Sequence, residues 1–230
     1  MKEFIRKLSA ELSPHYAPPF VNSGHDTHHV SRMIALGNTM PWLDFNRDLF
    51  AIAVWLHNLD RSQPFEGKDI GEACAEFLVD APLDDAQKKL VTDAVLQHSK
   101  KDDEPGDSSL LVALRIADKV DRFRFAAAGI AAICAHGHDL PAYDAAHPFG
   151  YGDTAESNVK TLYAGFFRVL EWYGMLPSDE ARGLIRDADM QFHIAFIRRL
   201  GRDMAEILNV ADETEGDLKK ALGKHYAKFA

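Results

Sequence analysis

The stretch "LFAIAVWLHNLDR", residues 49–61, runs apolar from Leu49 to Leu56 and then turns abruptly to His57, Asn58 and Asp60. A segment that is apolar all round reads as a helix buried on every side. An imidazole and an amide at its end therefore carry polar chemistry into the interior, and that needs a partner. Three other helical segments repeat the theme. His29 shares a face with Met33 and Leu36; His98 follows Val91, Ala94 and Val95; Asp118 follows Leu111 and Leu114. His57 itself shares a face with Phe50, Ala53 and Val54. Residues three, four and seven apart line one side of a helix, so each segment aims an imidazole or a carboxylate inward.

Two accounts of these residues are open. A buried carboxylate is costly unless paired, and one divalent cation held by His29, His57 and Asp118 would satisfy all three side chains together. Imidazole and carboxylate donors suit Mn, Fe, Co, Ni or Zn better than Ca. Alternatively, the histidines are hydrogen-bonded core residues and Asp118 pairs with Arg122 or Arg115 on its own helix.

Helical periodicity continues along nearly the whole chain, and strand alternation is almost absent. It predicts helices near 2–12, 27–38, 47–58, 69–79, 84–98, 108–122, 124–135, 154–174, 179–208 and 214–228. Turn chemistry such as "SPHYAPPF", "RSQPFEG" and "KKDDEPGDSS" separates them. The expected fold class is all-α: one domain over 1–230, with a long Gly-, His- and aromatic-rich loop at 136–153 and a C-terminal helical extension over 154–230. With 230 residues, 47% apolar and 27% charged, the chain has the composition of an ordinary globular protein. Its net charge of −9 argues against a general nucleic-acid surface or an anionic membrane as partner. The 2 cysteines lie far apart, which suits a reducing cytoplasm and excludes a thiolate zinc site. No apolar run approaches the roughly 20 residues of a membrane span, and "MKEFIRKLSAEL" reads as an amphipathic helix rather than a signal peptide. A cytoplasmic location is expected.

The order of the polar residues resembles that of the HD-domain metal-dependent phosphohydrolases. Their first motif, H-D-x-x-H-x-x-R-V in one subgroup, is matched by "HDTHHVSRM" with His25, Asp26, His29, Arg32 and Met33. An apolar run ending in His-Asp follows; here it ends in His57-Asn58. "AVLQHS" supplies a His98-Ser99 pair, and "RIADKVDRF" supplies Asp118 and Asp121. The resemblance covers about 25–130 and places an HD-like core at about 22–135. It implies one divalent ion (Mn, Fe, Co, Ni, Zn or Mg) held by His29, His57, position 58 and Asp118. It also implies a phosphate ester or nucleotide phosphoanhydride as substrate.

Position 58 departs from the family. Asparagine offers a neutral carbonyl oxygen in place of a carboxylate, so a site containing it should hold metal more weakly. Asn58 is a weak ligand or is replaced as ligand by Asp60, or it marks a site that has lost its metal and binds without turnover, or it caps the helix in a left-handed conformation. On the catalytic reading, Asp60 is the candidate to orient or deprotonate water, with Asp121 second. Arg32, Arg61 and Arg122 are candidate phosphate forks, and His98 a further substrate contact. A zinc-protease reading of "HDTHH" is disfavoured, because His25 follows loop residues and the acid is Asp rather than Glu. The competing function is a catalytically degenerate module that binds a nucleotide or a protein partner. The segment "AFIRRLGRDMAEIL" is either core or the seam of a homodimer.

Overall fold

The apolar periodicity resolves into helices wherever the backbone is described. A computed structural model describes every residue except 18–23, 62–64, 66, 101–102, 150 and 152–159. Among the described residues there is no strand. The chain divides into two compact units, Met1–Asp121 and Arg122–Ala230.

The first unit contains α1 (Lys2–Leu12), α2 (Thr27–Gly37), α3 (Arg47–Leu56), α4 (Ile70–Leu78), α5 (Asp85–Gln97) and most of α6 (Ser109–Arg124). Helix α3 is its centre: every residue from Leu49 to Leu56 is buried, and α1, α2 and α5 all pack against it. This is what an all-round apolar helix requires. Short polar side chains start the helices. Asn46 accepts from the backbone N–H groups of Asp48 and Leu49, Asp69 from that of Glu72, and Asp84 from that of Gln87. Each satisfies donors that have no partner within the helix.

The second unit contains α7 (Ala126–His136), α8 (Leu162–Gly174), α9 (Asp179–Gly183), α10 (Asp187–Leu208), α11 (Thr214–Leu222) and α12 (Tyr226–Phe229). Helix α8 packs against α7, α10 and α11. Ile197, Met204 and Ala205 of α10 are buried, so the candidate dimer seam contributes to the core. Two expected helices are broken. The 179–208 pattern stops at Gly183 and restarts at Asp187, because Arg186 is extended and Asp189 binds both its backbone N–H and its guanidinium. The 214–228 pattern breaks at Gly223, whose φ of 51° suits glycine. Helix α8 begins at Leu162, with Thr161 as cap; the expected start at 154 lies outside the described residues. No described helix is long and apolar enough to cross a membrane.

Candidate metal centre

The abrupt end of "LFAIAVWLHN" is explained by a helix-terminal carbonyl. His57 stands one residue beyond α3 and its Nδ1 lies 2.7 Å from the Val54 carbonyl oxygen, which can only accept. Nδ1 therefore carries the proton and Nε2 the lone pair. His98 ends α5 in the same manner, with Nδ1 donating to the Val95 carbonyl at 2.6 Å. In both cases the imidazole satisfies an orphan acceptor of the last turn and turns its other nitrogen away from the helix.

His29 is oriented from the opposite direction. The Asp26 side chain accepts from the His29 backbone N–H at 2.8 Å and starts α2, so His29 lies in the first turn and His25 precedes the helix. That arrangement also explains why the zinc-protease reading fails. The ring of His29 is fully buried, and its Nδ1 lies 2.8 Å from Oδ2 of Asp121. Arg32, one turn along α2, grips the same carboxylate with Nε at 2.6 Å and Nη2 at 2.9 Å. Burial alone would raise the Asp121 carboxyl, but hydrogen bonds from His29 and Arg32 outweigh it and hold the group below the usual carboxylate range. An ionised Asp121 can only accept, so Nδ1 of His29 donates to it and Nε2 is left facing the other side chains of the cluster.

These constraints make three electron-rich atoms converge. Nε2 of His29 lies 3.3 Å from Nε2 of His57 and 3.3 Å from Oδ1 of Asp118. One ligand-capable atom from each of the three residues lies within 4.8 Å of the others. Burial, and then the proximity of His98 and His29, push His57 well below the usual imidazole range, so it is a neutral donor. Two imidazole nitrogens and a carboxylate oxygen facing one another form a donor set that a divalent transition ion fits. Both imidazoles are buried while the Asp118 side chain is 31% exposed, which leaves the cluster accessible on that side.

The remaining expected residues fall in several places. Asn58 is buried, and its Nδ2 lies 2.7 Å from Nε2 of His57. It does not cap α3 in a left-handed conformation: among the described residues Asn209 is the sole non-glycine with positive φ. From Asn58 the chain continues into a tight 3-10 turn (Leu59–Arg61), with Arg61 N–H donating to the Asn58 carbonyl. Asp60 and Arg61 are both about half-exposed and lie 3.4 Å apart. The His98 ring meets that of His57 edge-on, with centroids 5.2 Å apart. Arg122 is buried at the start of the second unit. In the 136–153 loop, His138 is exposed and pairs with Asp139, while Gly150, Gly152 and Asp153 lie outside the described residues.

Tyr16 had no sequence signal. It sits in a short 3-10 turn (Ser13–Tyr16), fully buried, with its hydroxyl donating to the Trp55 carbonyl at 2.7 Å. The same oxygen faces the Asn58 backbone N–H. One phenol thus braces both sides of His57. A lone tyrosine among prolines carries no periodicity, so nothing local could have marked it.

No family profile matches the chain, and no curated protein does. Among solved structures, Bacillus subtilis YpgQ in complex with ADP is similar, with a TM-score of 0.58 and 21% identity over 86% of this chain and 97% of that one. A Lactobacillus plantarum protein is similar with a TM-score of 0.64 and 16% identity, over 85% of this chain and 96% of that one. The fold is that of the helical HD-type proteins. At these identities the likeness speaks to the fold alone.

Proposed function

We propose that this HD-type protein is a metal-dependent phosphohydrolase acting on a nucleotide phosphoanhydride or a related phosphate ester. The observation that carries the reading is the convergence of His29 Nε2, His57 Nε2 and Asp118 on one point, with each histidine's other nitrogen already committed. A divalent ion bound there supplies Lewis acidity toward a phosphate oxygen and the attacking water. The chain's own residues do the rest. Asp121 fixes the ring and tautomer of His29, as carboxylates behind ligating histidines do. Asp60 is assigned the role of orienting or deprotonating water. For phosphate, Arg61 is the better displayed fork, because Nε and Nη2 of Arg32 are engaged by Asp121. His98 and Arg122 remain candidate contacts. The nucleotide as substrate is supported by the ADP bound to YpgQ.

A second reading, a nucleotide-binding module without turnover, is favoured by the Asn58 amide beside His57. One experiment separates the two. The purified protein is loaded in turn with Mn, Fe, Co, Ni, Zn and Mg, and phosphate and pyrophosphate release is followed on nucleoside di- and triphosphates. Turnover with one ion per chain, lost in His29→Ala and Asp118→Ala, supports the enzyme. Binding of ADP without release under every metal supports the module.

A further inference from the structure

The amide of Asn58 faces the metal cluster in a way that a carboxylate at the same position cannot. His57 donates through Nδ1 to Val54, so its Nε2 is an acceptor, and the Asn58 Nδ2 at 2.7 Å is the donor that satisfies it. Both side chains are buried, with His57 1% and Asn58 4% exposed, so bulk water is poorly placed to do the same work. An acceptor-only oxygen at that spot would oppose the Nε2 lone pair instead of satisfying it. A carboxylate there therefore requires a cation or a proton taken up by His57 Nε2; an amide requires neither.

We propose that Asn58 lets this centre exist without its ion. The amide N–H occupies the His57 lone pair when no cation is present, and an incoming ion displaces it from that lone pair. The substitution thus exchanges tight retention of metal for a stable metal-free state, and the centre loads and unloads reversibly with metal supply. This rests on the proposed metal site, and it adds that metal-free protein is a folded working state rather than a damaged one. The balance is set by one amide-to-imidazole hydrogen bond, which corresponds to roughly three- to tenfold in ion affinity.

The test compares the full chain with Asn58→Asp and Asn58→Ala, all treated with chelator and held at pH 8. Thermal melts are recorded without metal and with added Mn or Co, and affinity is read by calorimetry and by the visible spectrum of bound Co. The expected result is that metal-free Asn58→Asp melts about 4–8 °C below the unaltered protein, with Asn58→Ala between them. Added ion should restore Asn58→Asp and bind it at least about tenfold more tightly than the unaltered chain. Metal-free Asn58→Asp as stable as the unaltered protein would overturn the proposal, as would an Asp variant that binds no more tightly. Failure of any variant to bind any ion would instead sink the metal centre itself, while the metal-free melts would still report on the amide.

Discussion

Removing one oxygen atom, in Tyr16→Phe, tests how the end of α3 is held. The ring stays: it is fully buried and tilts against Trp55 with centroids 6.1 Å apart, and phenylalanine keeps that packing. What goes is the hydroxyl that donates to the Trp55 carbonyl at 2.7 Å and faces the Asn58 N–H. A buried backbone group left unsatisfied costs about 1–3 kcal/mol. Two such groups, in a place water does not reach easily, should therefore cost about 2–4 kcal/mol. That loss is large beside the roughly 5–15 kcal/mol that holds an ordinary domain together. The assay is urea unfolding of metal-free protein, read as a lower midpoint at unchanged slope. Because the two bonds flank His57, ion affinity should fall as well. A Phe variant within about 0.5 kcal/mol of the parent, the range of an indifferent surface change, would refute the idea that Tyr16 braces this helix end.

Three further outcomes follow from the same geometry. Asp121→Asn keeps an acceptor for His29 but weakens the grip of Arg32, and ion affinity measured by calorimetry should fall roughly 10- to 100-fold, as with other supports of ligating histidines; an unchanged affinity would remove Asp121 from the centre. Gly201→Ala would drive a methyl into Thr214 Oγ1 and to 2.9 Å from its Cβ, so it should destabilise by about 1–3 kcal/mol. Adding Thr214→Ala should recover part of that loss, whereas strictly additive losses in the urea series would contradict the contact. His193 is buried and pushed down to about 4, chiefly by burial. The unfolded chain takes up its proton near pH 6.5, so the stability from the neutral ring is complete above that pH and is lost as pH falls toward 4, by up to about 3 kcal/mol. A His193→Gln variant should show a flatter fall of urea midpoint between pH 7 and 4.5, and an identical slope would argue against this site.

Much of the candidate centre was legible because its signals are local. The helical period of "VTDAVLQH" and the run "LFAIAVWLH" place His98 and His57 at helix ends whatever the rest of the chain does. Asp26 and Asn46 mark helix starts through hydrogen bonds that span three residues or fewer. Such short-range preferences belong to the chain itself. The breaks at Arg186 and Gly223 were less legible, since apolar spacing continues through both and only the backbone conformations interrupt it.

The sequence by itself determined an all-helical chain in which four helices carry an inward imidazole or carboxylate, and it brought His29, His57 and Asp118 forward as a set. Tertiary structure alone decided what each polar atom faces. Asp118 and Asp121 are three positions apart on α6, near one face of the helix, and spacing does not say which end of the His29 ring each one meets. Packing sets the rotation of α6 against α2, so that Asp118 meets Nε2 of His29 and Asp121 meets Nδ1, on opposite ends of one ring. The same packing commits Arg32 to a carboxylate 89 positions away and aims the Asn58 amide at its neighbour's lone pair. Helix formation is governed by interactions a few residues long, whereas the partner of a buried polar atom is whatever the completed core brings within about 3 Å of it.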